Sequence, residues 1–236
     1  MDSRILKFIV SISLAILFCH PLPARGDGLF GQLDTFRVGG TISAENYVDR
    51  HINLSIDGVT LSGTVSAEGY NTRKIDLSFE GPFIRGSLSS AGMSDRFMDF
   101  AVRGNVIAGN MTAEGYDPRS LTLCISNSKL EGTLSAPGYT TRHIEFSIKN
   151  GQVSGSVMAE GFNPRVLNLH TEDNMLKGII SSEGGTDRRI MLNISRNDPE
   201  AIRLVLFFLL LDMKIRQGFP GSQHSSLNLN ANLNLP

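Results

Sequence analysis

Arginine recurs at 50, 73, 96, 119, 142, 165 and 188, every 23 residues without insertion. Aromatic residues precede five of these seven, at Tyr47, Tyr70, Tyr116, Tyr139 and Phe162. A guanidinium offers a planar fork of donors that matches carboxylate, sulfate or phosphate. The array is therefore a candidate rim for binding an anionic glycan, a lipid headgroup or a protein partner. A local role for the same residues is simpler. Glu45, Glu68, Glu114, Glu160 and Glu183 stand five positions before an arginine and can pair with it across a loop. Exposed pairs of that kind contribute under about 1 kcal/mol each. Local pairing is the favoured expectation, with loop packing the favoured role for the aromatics.

The other reactive side chains do not assemble a catalytic constellation. His51 and His143 share a repeat position but lie four repeats apart, about 38 Å in a strand meander. No zinc-ligand spacing, phosphate-binding loop, dinucleotide fingerprint or nucleophile elbow occurs. Cys124 lies between Leu123 and Ile125 with no nearby histidine, so a nucleophilic role is not expected. The reading is a non-enzymatic protein without metal or cofactor.

The elements that must position the arginines follow from the same period. Glycine recurs at 40, 63, 86, 109, 132, 155 and 178, and a small residue four positions later, from Ala44 to Ser182. Repeats of fixed length outrank any local pattern. Within a repeat the apolar period is two, the mark of half-buried strands. Ile52, Leu54 and Ile56 alternate with Asn53 and Ser55, and Leu61 with Thr60 and Ser62. Asp57-Gly58 between two such runs predicts a two-residue hairpin turn, pairing Ile56 with Val59 and Leu54 with Leu61. Asn150-Gly151 predicts another.

Each repeat thus reads as a strand, a loop, a second strand and a tight turn. The fold class is all-β: an antiparallel hairpin meander of seven 23-residue repeats over residues 25–197. Residues 28 to 38, with Leu29, Leu33, Phe36 and Val38, read as an additional half-unit, making fifteen strands. The alternative is a parallel β-helix or solenoid, in which like arginines would stack about 4.8 Å apart and repel. The period and hairpin plan are similar to membrane occupation and recognition nexus repeats, which imply stacked hairpins. Ile52, Leu54 and Ile56 stand where that family's Tyr-x-Gly-x-Trp element would fall, and no functional residue is carried over.

A flat sheet of this size would expose on the order of 1,600 Å² of apolar surface, more than a soluble monomer tolerates. Residues 198–216 offer a cover. Asp198-Pro199-Glu200 is a helix start, and Leu204 to Leu211 is an unbroken apolar run. Such a helix covers too little of a flat sheet. The sheet is therefore expected to curl or close around it, apolar face inward. A strand over 201–211 is the alternative for this segment, and a homodimer joined through the apolar face is the alternative cover.

The 236 residues carry 22 Lys+Arg against 23 Asp+Glu. This balance argues against nucleic-acid binding, which needs a basic surplus. Residues 1–24 read as a signal peptide: Arg4 and Lys7, an apolar run to Phe18, and Ala24 at the cleavage position. Export to the periplasm, cell surface or exterior is expected, with no transmembrane helix in the mature chain. Residues 217–236 read as a flexible tail. The expected function is an exported structural or interaction scaffold. The alternatives are a lipid or hydrophobic-ligand carrier, its cavity lined by Ile75, Leu77, Phe79, Phe100, Phe146 and Leu169, and an outer-membrane β-barrel.

Overall fold

The computed structural model describes residues 35–126, 128–196 and 198–215. The expected signal peptide, the C-terminal tail, and Leu29 and Leu33 of the half-unit lie outside the described residues. Fourteen strands form in chain order. The first repeat gives β1 (Phe36–Ala44) and β2 (Tyr47–Asp57), the second β3 (Thr60–Ala67) and β4 (Tyr70–Glu80), the third β5 (Phe83–Ser90) and β6 (Arg96–Arg103). The fourth gives β7 (Val106–Ala113) and β8 (Tyr116–Ile125), the fifth β9 (Lys129–Ser135) and β10 (Arg142–Lys149). The sixth gives β11 (Gln152–Ala159) and β12 (Phe162–Glu172), the seventh β13 (Met175–Ser182) and β14 (Arg188–Ile194). Helix α1 (Pro199–Ile215) follows.

All pairings are antiparallel, each strand with its sequence neighbours, and β1 closes on β14. The meander is therefore a closed barrel, and the parallel β-helix alternative is excluded. The half-unit adds no fifteenth strand among the described residues, because Phe36 and Val38 are the first turn-proximal positions of β1 itself.

One register expectation is corrected. Asp57 pairs with Thr60, Ile56 with Leu61 and Leu54 with Gly63, so the turn residues are Gly58 and Val59. Gly58 takes φ 57°, the positive value that a type II′ turn needs at its first central residue. The shift leaves Val59 exposed. At Asn150-Gly151 the expected turn forms, between Lys149 and Gln152.

The repeating glycine has a steric cause. A Cβ on Gly86 would lie 1.9 Å from the Asp76 carbonyl oxygen, and one on Gly132 would lie 1.9 Å from that of Thr122. The same conflict recurs at all seven positions, including Gly40 against Met191 across the closing seam. Glycine at this position lets adjacent backbones approach closely at each step around the barrel.

The rim of between-repeat turns is sealed by one hydrogen bond used six times. The amides of Phe79, Val102, Ile125, Ile148, Thr171 and Ile194 donate to the carbonyls of Val59, Pro82, Asn105, Ser128, Gly151 and Asn174, at 2.7–2.8 Å. At the seam, the Ser195 amide donates to the Arg37 carbonyl and the Arg37 amide to Ser195 Oγ.

Apolar side chains alternate into the barrel, as Ile52, Leu54 and Ile56 do, and are buried. Residues 201 to 211 of α1 belong to the same core, ten of these eleven residues being under 7% exposed. A helix buried on every face needs apolar neighbours all round, and only the lumen supplies them. The Phe100 and Phe207 rings meet edge to face at 6.1 Å, midway along strand and helix. Fourteen strands make a wall of radius about 11 to 14 Å, which leaves room for one helix of radius about 5 Å.

Asp198 starts α1. Its Oδ1 accepts from the amides of Glu200 and Ala201, both at 3.0 Å, and its Oδ2 accepts from Arg196 Nε at 2.8 Å. Arg203 donates to the Ser126 carbonyl beyond β8 at 3.2 Å. These contacts place the start of α1 at the between-repeat rim, so the chain direction carries its end toward the opposite mouth.

Candidate functional site: an arginine ring in the barrel mouth

The seven arginines sit on the inner wall, where the sequence pattern had suggested only a rim. Cross-strand partners share a face of a sheet. Arg50 pairs with Ile42, Arg73 with Val65, Arg96 with Leu88 and Arg119 with Met111. Arg142 pairs with Leu134, Arg165 with Val157 and Arg188 with Ile180. All seven partners are buried core residues. The guanidinium groups therefore converge on the lumen at one mouth, one layer above the core. Arg50 is 6% exposed and the other six are half-buried.

From Phe207 to Ile215 α1 rises about 12 Å, and from Phe100 to Arg96 the wall rises about 10 Å after tilt. The end of the helix thus comes level with the ring. The negative end of the helix dipole favours cations there.

The electrostatics follow from this crowding. Burial lowers the proton affinity of Arg96, and the charges of Arg119 and Arg73 lower it further, against a smaller opposing effect of Tyr116. Burial and then Arg119 act in the same direction on Arg142. For Arg165 burial is again largest, followed by Arg188 and Arg142. The ring is a set of partly desolvated like charges. The expected local pairing does not form at Arg165 and Arg188. Among the described residues, no ion pair joins Glu160 to Arg165 or Glu183 to Arg188. The five glutamates stand exposed on turns or loops above the ring.

The aromatics form a collar over the same mouth, and backbone bulges put them there. Between Ile42↔Arg50 and Ala44↔Tyr47, β2 contributes one more residue than β1. Without that extra residue, Tyr47 and Arg50 would face opposite sides of the sheet. With it, Tyr47 shares a face with Ala44 and hence with Arg50. The same bulge sets Tyr70 over Arg73, Tyr116 over Arg119 and Phe162 over Arg165. The remaining repeats open into loops at 91–95, 136–141 and 183–187, and Tyr139 lies on the second. The five rings are 45–69% exposed. Asn71 Nδ2 donates to the Ala91 carbonyl and Asn163 Nδ2 to the Glu183 carbonyl, tying hairpin to neighbouring loop.

Sequence reasoning missed the acidic members of the collar. Asp49, Asp95, Asp117 and Asp187 join the five glutamates as exposed residues within one or a few positions of the arginines. The mouth is thus a recessed cationic ring under an acidic, aromatic edge. His51 and His143 point to the outer wall of different strands, and Cys124 Sγ accepts from Asn105 Nδ2 at 3.6 Å. No protein-family model matches the chain, and no curated protein matches it.

Proposed function

We propose that this chain is an exported, non-enzymatic binding and scaffold protein whose recognition surface is the arginine-ringed mouth, and that the mouth takes an anionic group of its partner. The observation that carries this reading is the convergence of seven half-buried or buried guanidinium groups on one face of a closed barrel. At Arg142, Arg165 and Arg188 like charges held together in a partly dry site are relieved by a bound anion, and bidentate guanidinium contacts give the bond direction. Export rests on the pattern of residues 1–24.

The carrier reading would require α1 to leave the lumen, because residues 201–211 occupy it. An outer-membrane barrel presents an apolar band about 25 Å tall to lipid. Here the outward positions of β3 are Thr60, Ser62, Thr64 and Ser66, and those of β4 include Lys74, Asp76 and Ser78.

The test is thermal unfolding of the full chain in sodium sulfate against sodium chloride at equal ionic strength. Binding to the folded state alone raises the transition as RT ln(1 + [L]/Kd). Sulfate should raise the midpoint of the wild type and much less that of Arg165→Gln/Arg188→Gln. An equal rise in both proteins would remove the ring as the anion site.

A further inference from the structure

We infer that the outer wall of β11 to β14 carries a docking stripe for a second copy of this chain, laid on it in the reverse direction.

The repeats supply their own reference. Met158 stands where the other six have serine or threonine, and Ile179 where they have serine, threonine or asparagine. Met191 stands where they have asparagine, aspartate, threonine or glutamate. Val166 stands where five of the other six are polar, Phe97 being the exception. Single apolar residues scattered over a surface are ordinary. These four fall on consecutive strands as diagonal neighbours. Val166 is opposite Ser156, two residues from Met158. Ile179 is opposite Asn168, two residues from Val166, and Met191 is opposite Lys177, two residues from Ile179. Each step moves one strand over and two residues away from the arginine mouth. Such diagonals span about 7–8 Å, so the four make one straight line about 24 Å long. Each member is 37–43% exposed. The inner apolar face, which α1 fills, takes no part.

Two features select a second copy as the occupant. The line reads Met, Val, Ile, Met. Reversed, it sets Met158 against Met191 and Val166 against Ile179, long flexible side chains with each other and β-branched ones with each other. The charges beside it also differ from end to end. Arg189, opposite Ile179, and Lys177, opposite Met191, flank the lower end. Glu145, opposite Ser156, and Glu183, two residues beyond Ser181, flank the upper end and are exposed. Arg189 and Glu183 lie on one side of the line, Lys177 and Glu145 on the other. A two-fold axis across the line exchanges the ends and keeps the sides. It brings Arg189 of each copy to Glu183 of the other, and Lys177 to Glu145. An axis along the line would set Arg189 against Lys177, which like charges oppose. Lys177 also holds Glu172 of its own chain at 2.9 Å, so Arg189 is the main cation of its end. The carboxylates at the other end oppose an anionic lipid surface.

With its flanking rows the patch measures about 24 by 20 Å, and side-chain relief brings its accessible area toward the roughly 800 Å² that each partner of a standard pair buries. This is the low end for a stable dimer, so exchange between monomer and dimer at micromolar concentration is expected.

Sedimentation velocity of the full chain over a concentration series tests this. The weight-average mass should rise from monomer toward dimer. Met158→Ser/Ile179→Thr gives both positions residues that other repeats carry there. It should weaken dimerisation by about tenfold or more and leave the circular dichroism spectrum unchanged. Phe97→Ser removes an exposed aromatic off the line and should leave the dimer intact. Arg189→Glu should weaken the dimer, and adding Glu183→Arg should restore it.

A chain that stays monomeric up to its solubility limit would overturn the inference. A dimer unaffected by Met158→Ser/Ile179→Thr would place the interface elsewhere. Failure of Glu183→Arg to rescue Arg189→Glu would overturn the reversed arrangement. Co-sedimentation of a monomeric chain with phosphatidylglycerol vesicles, lost in Met158→Ser/Ile179→Thr, would assign the line to lipid instead.

Discussion

Leu77 and Ser78 are neighbours in sequence and lie on opposite sides of the wall. Leu77 is 1% exposed, opposite Gly86, while Ser78 is opposite Arg85 on the outer face. A carboxylate at 77 would be desolvated among aliphatic side chains, the kind of change that costs more than about 4 kcal/mol. Leu77→Asp should therefore abolish a cooperative urea transition or shift its midpoint far down. Ser78→Asp should stay within about 0.5 kcal/mol of wild type. Equal losses would contradict the one-sided wall. The same alternation was available for the arginines. Arg50 shares the parity of Ile52, Leu54 and Ile56, and Arg165 that of Leu167 and Leu169, which places each guanidinium inward. The nearby glutamates suggested local pairs instead. For the aromatics parity misleads: Tyr47 is odd where Arg50 is even, and one bulged residue restores the common face. A bulge leaves no mark in an apolar pattern.

Strand identity was legible because each repeat alternates cleanly and its turns carry glycine or asparagine. The register at Asp57-Gly58 was not. Both Asp-Gly and Gly-Val can occupy a two-residue turn, and the choice falls to the inward match of Ile56 with Leu61. The third, fifth and seventh repeats open into loops where the others make bulged hairpins. Their sequences differ there: Ala91-Gly92-Met93, Pro137-Gly138-Tyr139 and Glu183-Gly184-Gly185 stand where the rest have Glu followed by Gly or Asn and an aromatic. Helix α1 was legible from its cap and its apolar run. Burial acts to raise the proton affinity of Asp198. The amide of Ala201, the Arg196 guanidinium and the amide of Glu200 together outweigh it and hold the carboxyl below its ordinary range. A depressed folded-state value stabilises the native state above the unfolded value, and that contribution fades as pH falls through the folded one. Asp198→Ala should lose about 1 kcal/mol at pH 7. The gap from wild type should close as pH drops below about 4. A gap that stayed constant down to pH 2 would assign the loss to packing rather than to the cap.

The whole molecule is a wall with two chemistries and a plug. Serine, threonine and charged residues face outward, with Phe97, Met158, Val166, Ile179 and Met191 exposed among them, apolar residues face inward, and a helix fills the lumen. The need to cover the apolar face was visible in the sequence, and the arithmetic of that area pointed to curling around α1. The seam was not visible, since Val38 and Ile194 pair across more than 150 residues and nothing local marks them as edges. Closure is also what converts a linear array of arginines into a ring. Along an open sheet like groups would stand near 9.6 Å apart; in a barrel their inward ends converge. The central claim is that these arginines line a mouth that binds anions. Arginine footprinting with phenylglyoxal, read by mass spectrometry with and without phosphate, tests it most directly. Arg37, Arg85, Arg103 and Arg189 are exposed on the outer wall and should react first, unaffected by phosphate. The seven ring arginines should react more slowly, and phosphate should slow them further. Ring arginines that reacted as fast as Arg85, with no protection by phosphate, would contradict the account.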